Sequence, residues 1–106
     1  VPVIFFSTGT AGLYQDFAKL EADVFGVDWR VNLARASAQL GPKKALQGNL
    51  DPYTLLGDAA HWQSEVRAII NEGKSLSGHI FNLGHGILPQ TSTEVVAEMV
   101  SLIRSL

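Results

Sequence analysis

Gly84-His85-Gly86 closes the apolar run Gly78-His79-Ile80-Phe81-Asn82-Leu83, and the helix start signal Thr91-Ser92-Thr93-Glu94 follows a few residues later. Imidazole, with an unperturbed pKa of about 6.5, is the side chain able to act as a cation or as a neutral donor near neutral pH. A strand that stops in glycines around a lone imidazole puts that ring at the carboxyl edge of a sheet. Parallel α/β proteins keep their ligand sites there, because the loops vary while the strands hold them rigid. A histidine that merely fills space sits more often within an element. Position alone therefore favours a functional role for His85.

The other strand ends are also small or polar: Ser7, Thr8 and Gly9; Asp28, Trp29 and Arg30; Gly48, Asn49 and Asp51; then Asn82, Gly84, His85 and Gly86. In a parallel sheet these clusters share one rim, although polar strand ends are common in α/β proteins. Asp28 is either a general acid or base or a cap for the helix after it, and the cap fits better. Asp51, before Pro52, reads as a helix start or turn residue, and Asn49 and Asn82 as carboxamides that bond backbone at the rim. Gly9-Thr10-Ala11-Gly12 matches neither the dinucleotide fingerprint nor the phosphate-loop pattern and reads as a tight turn. His61 stands beside Trp62 on a helix, and His79 opens a strand at the end away from the rim. Histidines scattered in this way, with no cysteine, offer no metal-ligand spacing, and no serine sits on a strained turn to complete a Ser-His-Asp set.

The elements that must position these residues alternate. An apolar strand, Val1 to Ser7, continuous enough to be covered by helices on both sides, leads through the turn to a helix from about Ala11 to Glu21, with Leu13, Phe17 and Leu20 at helical spacing. A strand from Asp23 to Trp29 and an alanine-rich helix from about Val31 to Leu40 come next, closed by Gly41-Pro42. The third strand, Lys44 to Leu50, precedes a short helix at Pro52 and a longer one from a cap at Asp58 to about Gly73, with Trp62, Val66, Ile69 and Ile70 on one face. The fourth strand, Gly78 to Ile87, leads to a helix from about Thr93 to Arg104 carrying Val95, Met99, Leu102 and Leu106, for which Thr91 and Glu94 form a candidate capping box. Strand-helix alternation with short connections predicts a parallel sheet with right-handed crossovers.

Composition narrows the classes. The chain has 106 residues, 46% of them apolar, and a net charge of -2, which describes one globular segment, residues 1–106, with no internal linker. No basic stripe suggests nucleic acid, and no apolar run reaches the ~18 residues of a membrane span. The lack of cysteine excludes disulfides and thiolate-bound metal within the chain and fits a reducing, cytoplasmic setting. Val1 opens directly into a strand, as expected of a piece of something longer.

Three stretches, Gly26-Val27-Asp28-Trp29, Leu46-Gln47-Gly48-Asn49-Leu50-Asp51-Pro52 and Phe81-Asn82-Leu83-Gly84-His85-Gly86-Ile87, in this order and spacing, closely resemble the C-terminal portion of uroporphyrinogen decarboxylases. The resemblance covers essentially the whole chain and about the last third of a family member. It implies an α/β fold, roughly the C-terminal half of a (β/α)8 TIM barrel. It also implies an enzyme that removes carbon dioxide from the acetate arms of uroporphyrinogen III to give coproporphyrinogen III, on the route to haem, as a homodimer without metal or organic cofactor. Of the family's recognised site residues, the histidine of the Asn-Leu-Gly-His-Gly motif falls here, as His85, and the resemblance gives it a substrate-contacting role. The arginine-rich loop, the key aspartate and the tyrosine and serine contacts lie upstream of Val1, so no principal catalytic residue is expected in this segment.

Three other readings compete. A half-barrel with two open strand edges is expected to associate, with no activity of its own. Zinc-dependent, corrinoid-serving methyltransferases of the same superfamily carry a cysteine ligand at about the place of His85, and this chain has none. A flavodoxin-like binding domain is allowed by strand count, but no loop for a nucleotide or flavin accompanies it.

Overall fold

Short stretches of extended backbone alternate with helices whose ends are set by local chemistry. The computed structural model describes residues Val1–Leu106. In chain order its elements are β1 (Ile4–Phe6), a 3-10 turn (Ala11–Leu13) running into α1 (Tyr14–Phe17), β2 (Val24–Gly26), α2 (Leu33–Leu40), β3 (Ala45–Gln47), a 3-10 helix (Pro52–Leu56), α3 (Ala59–Gly73), β4 (His79–Ile80) and α4 (Thr93–Ser105). The alternation expected from sequence is present throughout.

Helix α2 starts where the Asn32 side chain accepts the Arg35 N–H at 2.8 Å, satisfying one of the amides that a helix start leaves unpaired. It ends at Gly41, whose φ of 108° suits glycine, and Pro42 follows. Its buried stripe is Leu33, Ala36 and Leu40, and that of α3 is Trp62, Val66, Ile69 and Gly73. Ile70, expected on the same face, is half-buried. At α4 the cap is Ser92, whose hydroxyl accepts the Val95 N–H at 3.2 Å. The expected Thr91–Glu94 box is absent: the Thr91 hydroxyl is buried without a partner, and Glu94 accepts from Thr93. Asp58 stands at the N-cap of α3 without a side-chain bond. Leu106 lies at the exposed end of α4 rather than on its packed stripe.

The strands pair in sequence order, β1-β2-β3-β4, all parallel. A flavodoxin-like sheet reverses its order at a switch point, and this one does not, which removes that alternative. Phe5, Phe25, Leu46 and His79 stand level across the sheet and face the helices. The Phe5 ring meets Phe17 edge-on at 5.0 Å and Phe25 at 6.2 Å, a geometry that favours aromatic pairs. His79 packs at the end of α3, where a side chain on Gly73 would collide with its ring.

The opposite face carries the row Phe6, Gly26, Gln47 and Ile80 and, one step back, Ile4, Val24 and Ala45. No helix covers it, and Ile4, Phe6 and Ile80 are 49%, 47% and 44% exposed. The sequence suggested helices on both sides of β1, and the structure corrects this. A continuous apolar run is equally the signature of a barrel strand, whose second face looks into the barrel. The regular elements are also shorter than expected. The first helix stops at Phe17, and β4 spans two residues with one further bridge between Leu50 and Leu83.

Candidate active-site rim

The carboxyl ends of the strands are held together by a few buried polar groups. Asp28, 1% exposed, follows β2. Its carboxylate accepts the Gly9 N–H at 2.6 Å, the Arg30 N–H at 2.8 Å and an Arg30 guanidinium N–H at 3.1 Å. Burial pushes this carboxyl up. The Gly9 and Arg30 amides and the Arg30 charge more than offset that and hold it below the ordinary carboxylate value. Asp28 therefore does not cap α2 as the sequence suggested, since Asn32 does. The Gly9 turn, with φ of 67° at Gly9, does hold an anion, and that anion is Asp28.

Asn49 is buried and donates to the carbonyls of Asp28 (2.9 Å) and Val31, tying the end of β3 to the end of β2 as expected of a rim carboxamide. Asp51 accepts the Tyr53 N–H at 3.0 Å and starts the short helix at Pro52. Asn82 accepts the Leu83 N–H at 2.9 Å. His61 is exposed on α3.

His85 is placed by the residue before it. The Gly84 N–H donates to the Leu50 carbonyl at 2.7 Å, and Gly84 lies so close to the Trp29 backbone that a β-carbon would collide with it. The chain leaves the sheet at that point. The exposed His85 side chain lines a cleft of ≈ 400 Å³ with Phe6, Gln47, Asn82, Leu83 and Ile87. Phe6 and Gln47 belong to the open face, so the imidazole stands where that face meets the rim. It also borders a second cavity, of ≈ 310 Å³, with Trp29, Arg30 and Tyr53.

Gln47 and Tyr14 are given no role by the sequence, and Arg30 stands there only as one of the strand-end residues of the rim. A polar side chain two residues after Ala45 in β3 shares that residue's face, a signal that would have marked Gln47. Tyr14 is buried beside Asp28, and burial first, then the Asp28 charge, pushes its phenol up. Nothing local in the sequence announces this. No cluster of three or more His, Asp or Glu side chains is disposed to hold a metal ion. No helix is long and apolar enough to cross a membrane.

Consecutive parallel strands with helices on one face and polar tips at one end define an α/β segment of the (β/α)-barrel class. Residues 1–106 match the family profile of uroporphyrinogen decarboxylase (URO-D). The uroporphyrinogen decarboxylase of Salinispora tropica is 44% identical over 106 residues, covering 100% of this chain and 29% of that protein. Those of Chloroflexus aggregans and Rhodococcus opacus are 46% and 45% identical, covering 98% and 100% of this chain and 29% and 31% of theirs. The chain belongs to the uroporphyrinogen decarboxylase family. It spans 29–31% of the length of these relatives and corresponds to their C-terminal part. A methyltransferase from Methanosarcina mazei superposes with a TM-score of 0.79 over 98% of this chain and 31% of its own, at 19% identity, a likeness of fold.

Proposed function

We propose that residues 1–106 form one wall of the substrate cleft of an enzyme that decarboxylates the acetate arms of uroporphyrinogen III to coproporphyrinogen III, and that His85 contacts the substrate there. The observation that carries this reading is the position of the His85 ring, at the rim and lining the cleft on the uncovered face with Phe6 and Gln47. In the chemistry this implies, the pyrrole beside an acetate is protonated. The bond from the methylene to the carboxylate carbon then breaks, carbon dioxide leaves, and its electron pair enters the ring. A proton then converts the exocyclic methylene to a methyl group, and the ring gives up the proton it took at the start, which restores the pyrrole. The ring is its own electron sink, so no metal or organic cofactor is required. An imidazole at the cleft wall donates a hydrogen bond to the substrate, and the apolar face around it keeps water from the reacting carbon.

The principal proton donor belongs to other parts of the whole protein, and the segment by itself is inactive on this reading. The active form is a homodimer in the cytoplasm, and the reaction calls on neither nucleic acid nor a membrane. The test is to incubate the full-length protein carrying this segment, dialysed against chelator, with uroporphyrinogen III under anaerobic conditions. Stepwise loss of acetate groups to coproporphyrinogen III by chromatography is expected. A folded protein that returns the substrate unchanged would refute the proposal.

A further inference from the structure

We infer that the rim cavity lined by Trp29, Arg30, Pro52, Tyr53, His85 and Leu88 is an anion subsite that holds a carboxylate arm of the substrate which the reaction leaves in place. This deepens the functional reading above and rests on it. The Arg30 guanidinium lies 4.6 Å from the centre of the Trp29 ring, and one of its N–H groups is bound to Asp28. Asp28 is buried behind it, whereas the Arg30 side chain is 50% exposed. A guanidinium has five N–H donors, so the fork is fixed by stacking and one ion pair while most of its donors remain for a ligand. Such preorganisation suits a carboxylate, which arginine grips with two parallel hydrogen bonds. Tyr53 and Trp29, both exposed, supply flat apolar walls beside it.

The charge flow of the reaction decides which carboxylate fits. A departing carboxylate loses its negative charge in the transition state. An arginine bound to it would stabilise the ground state more than the transition state and slow the step. A retained carboxylate keeps its charge throughout, and Arg30 binds it equally well before and during reaction. The cavity adjoins the open-face cleft through His85, which borders both. A substrate seated against that ring thus places one arm on each side of it.

The test uses the full-length protein with uroporphyrinogen III and its partly decarboxylated intermediates. Arg30→Gln is expected to raise KM and the equilibrium Kd about tenfold for every intermediate, with kcat unchanged. Arg30→Lys restores part of that affinity. Because Arg30→Gln also strips Asp28 of its ion pair, Tyr53→Glu serves as a second variant: it leaves Asp28 untouched, sets a negative charge at the cavity mouth and weakens Kd likewise. Unchanged Kd in both variants overturns the subsite. So does an effect confined to kcat or to one decarboxylation, which would mark a reacting arm. A shift from dimer to monomer with Kd preserved would make the cavity a contact between copies and also overturn it. Wild-type protein that binds uroporphyrinogen without decarboxylating it refutes the functional reading and leaves the Kd comparison to decide the subsite. Wild-type protein that does not bind it refutes both.

Discussion

The carboxylate of Asp28 and the backbone N–H of Gly9 lie 2.6 Å apart across 19 positions of sequence. That bond joins the loop after β1 to the end of β2, and Asn49 extends the tie to β3 through the Asp28 and Val31 carbonyls. The rim is thus assembled by one buried carboxylate and one buried carboxamide.

Replacing Asp28 with Asn turns an acceptor toward two amides into a group that also presents N–H donors to them. At pH 7 the cost is about 1–3 kcal/mol, read by urea unfolding of the full-length protein. The folded pKa of Asp28 is lowered from its ordinary value of 3.8. Its contribution is therefore fully present above about pH 4 and is lost as pH falls further, through the folded pKa. The stability gap between wild type and Asp28→Asn should narrow in that acid range. A gap unchanged between pH 7 and pH 3 would show that the carboxylate's charge is not what matters.

The two glycines around His85 are expected to behave differently. A β-carbon on Gly84 runs into the backbone and β-carbon of Trp29, while one on Gly86 meets nothing within 4 Å. Gly84→Ala should cost about 1–3 kcal/mol, as overpacking does, and Gly86→Ala no more than about 0.5 kcal/mol. Thermal melts of the two variants side by side decide the point, and equal losses would contradict this packing.

The uncovered face makes its own prediction. Ile4, Phe6 and Ile80 lie exposed on it, and β1 and β4 are open edges of the sheet. The 106-residue chain expressed alone should self-associate, seen as a mass above that of the monomer by light scattering. A well-folded, monodisperse monomer would contradict this.

The element order was readable because apolar runs and punctuation agree: Gly41-Pro42 ends α2, Asp51-Pro52 starts the short helix, and Trp62, Val66 and Ile69 keep helical spacing. The rim was readable because its residues are small and polar at strand ends. What the β1 run could not reveal was its second neighbour, since a strand under helices on both faces and a barrel strand have the same composition. The role of Asp28 was misread because its partner, Gly9, lies in another loop, whereas a cap is judged from the next few residues. Thr91 and Ser92 both satisfy a helix-start pattern, and a shift of one residue chose Ser92. Arg30 and Tyr14 acquire meaning from what folds against them.

The central claim is that the imidazole of His85 touches substrate at the junction of the open face and the rim. The most direct measurement is the kinetics of His85→Asn in the full-length protein, with each porphyrinogen intermediate followed separately and the melting temperature recorded. We predict slower turnover, or a changed order of acetate loss, with the melting temperature held. Wild-type rates and intermediate distribution in a folded His85→Asn protein would contradict the claim.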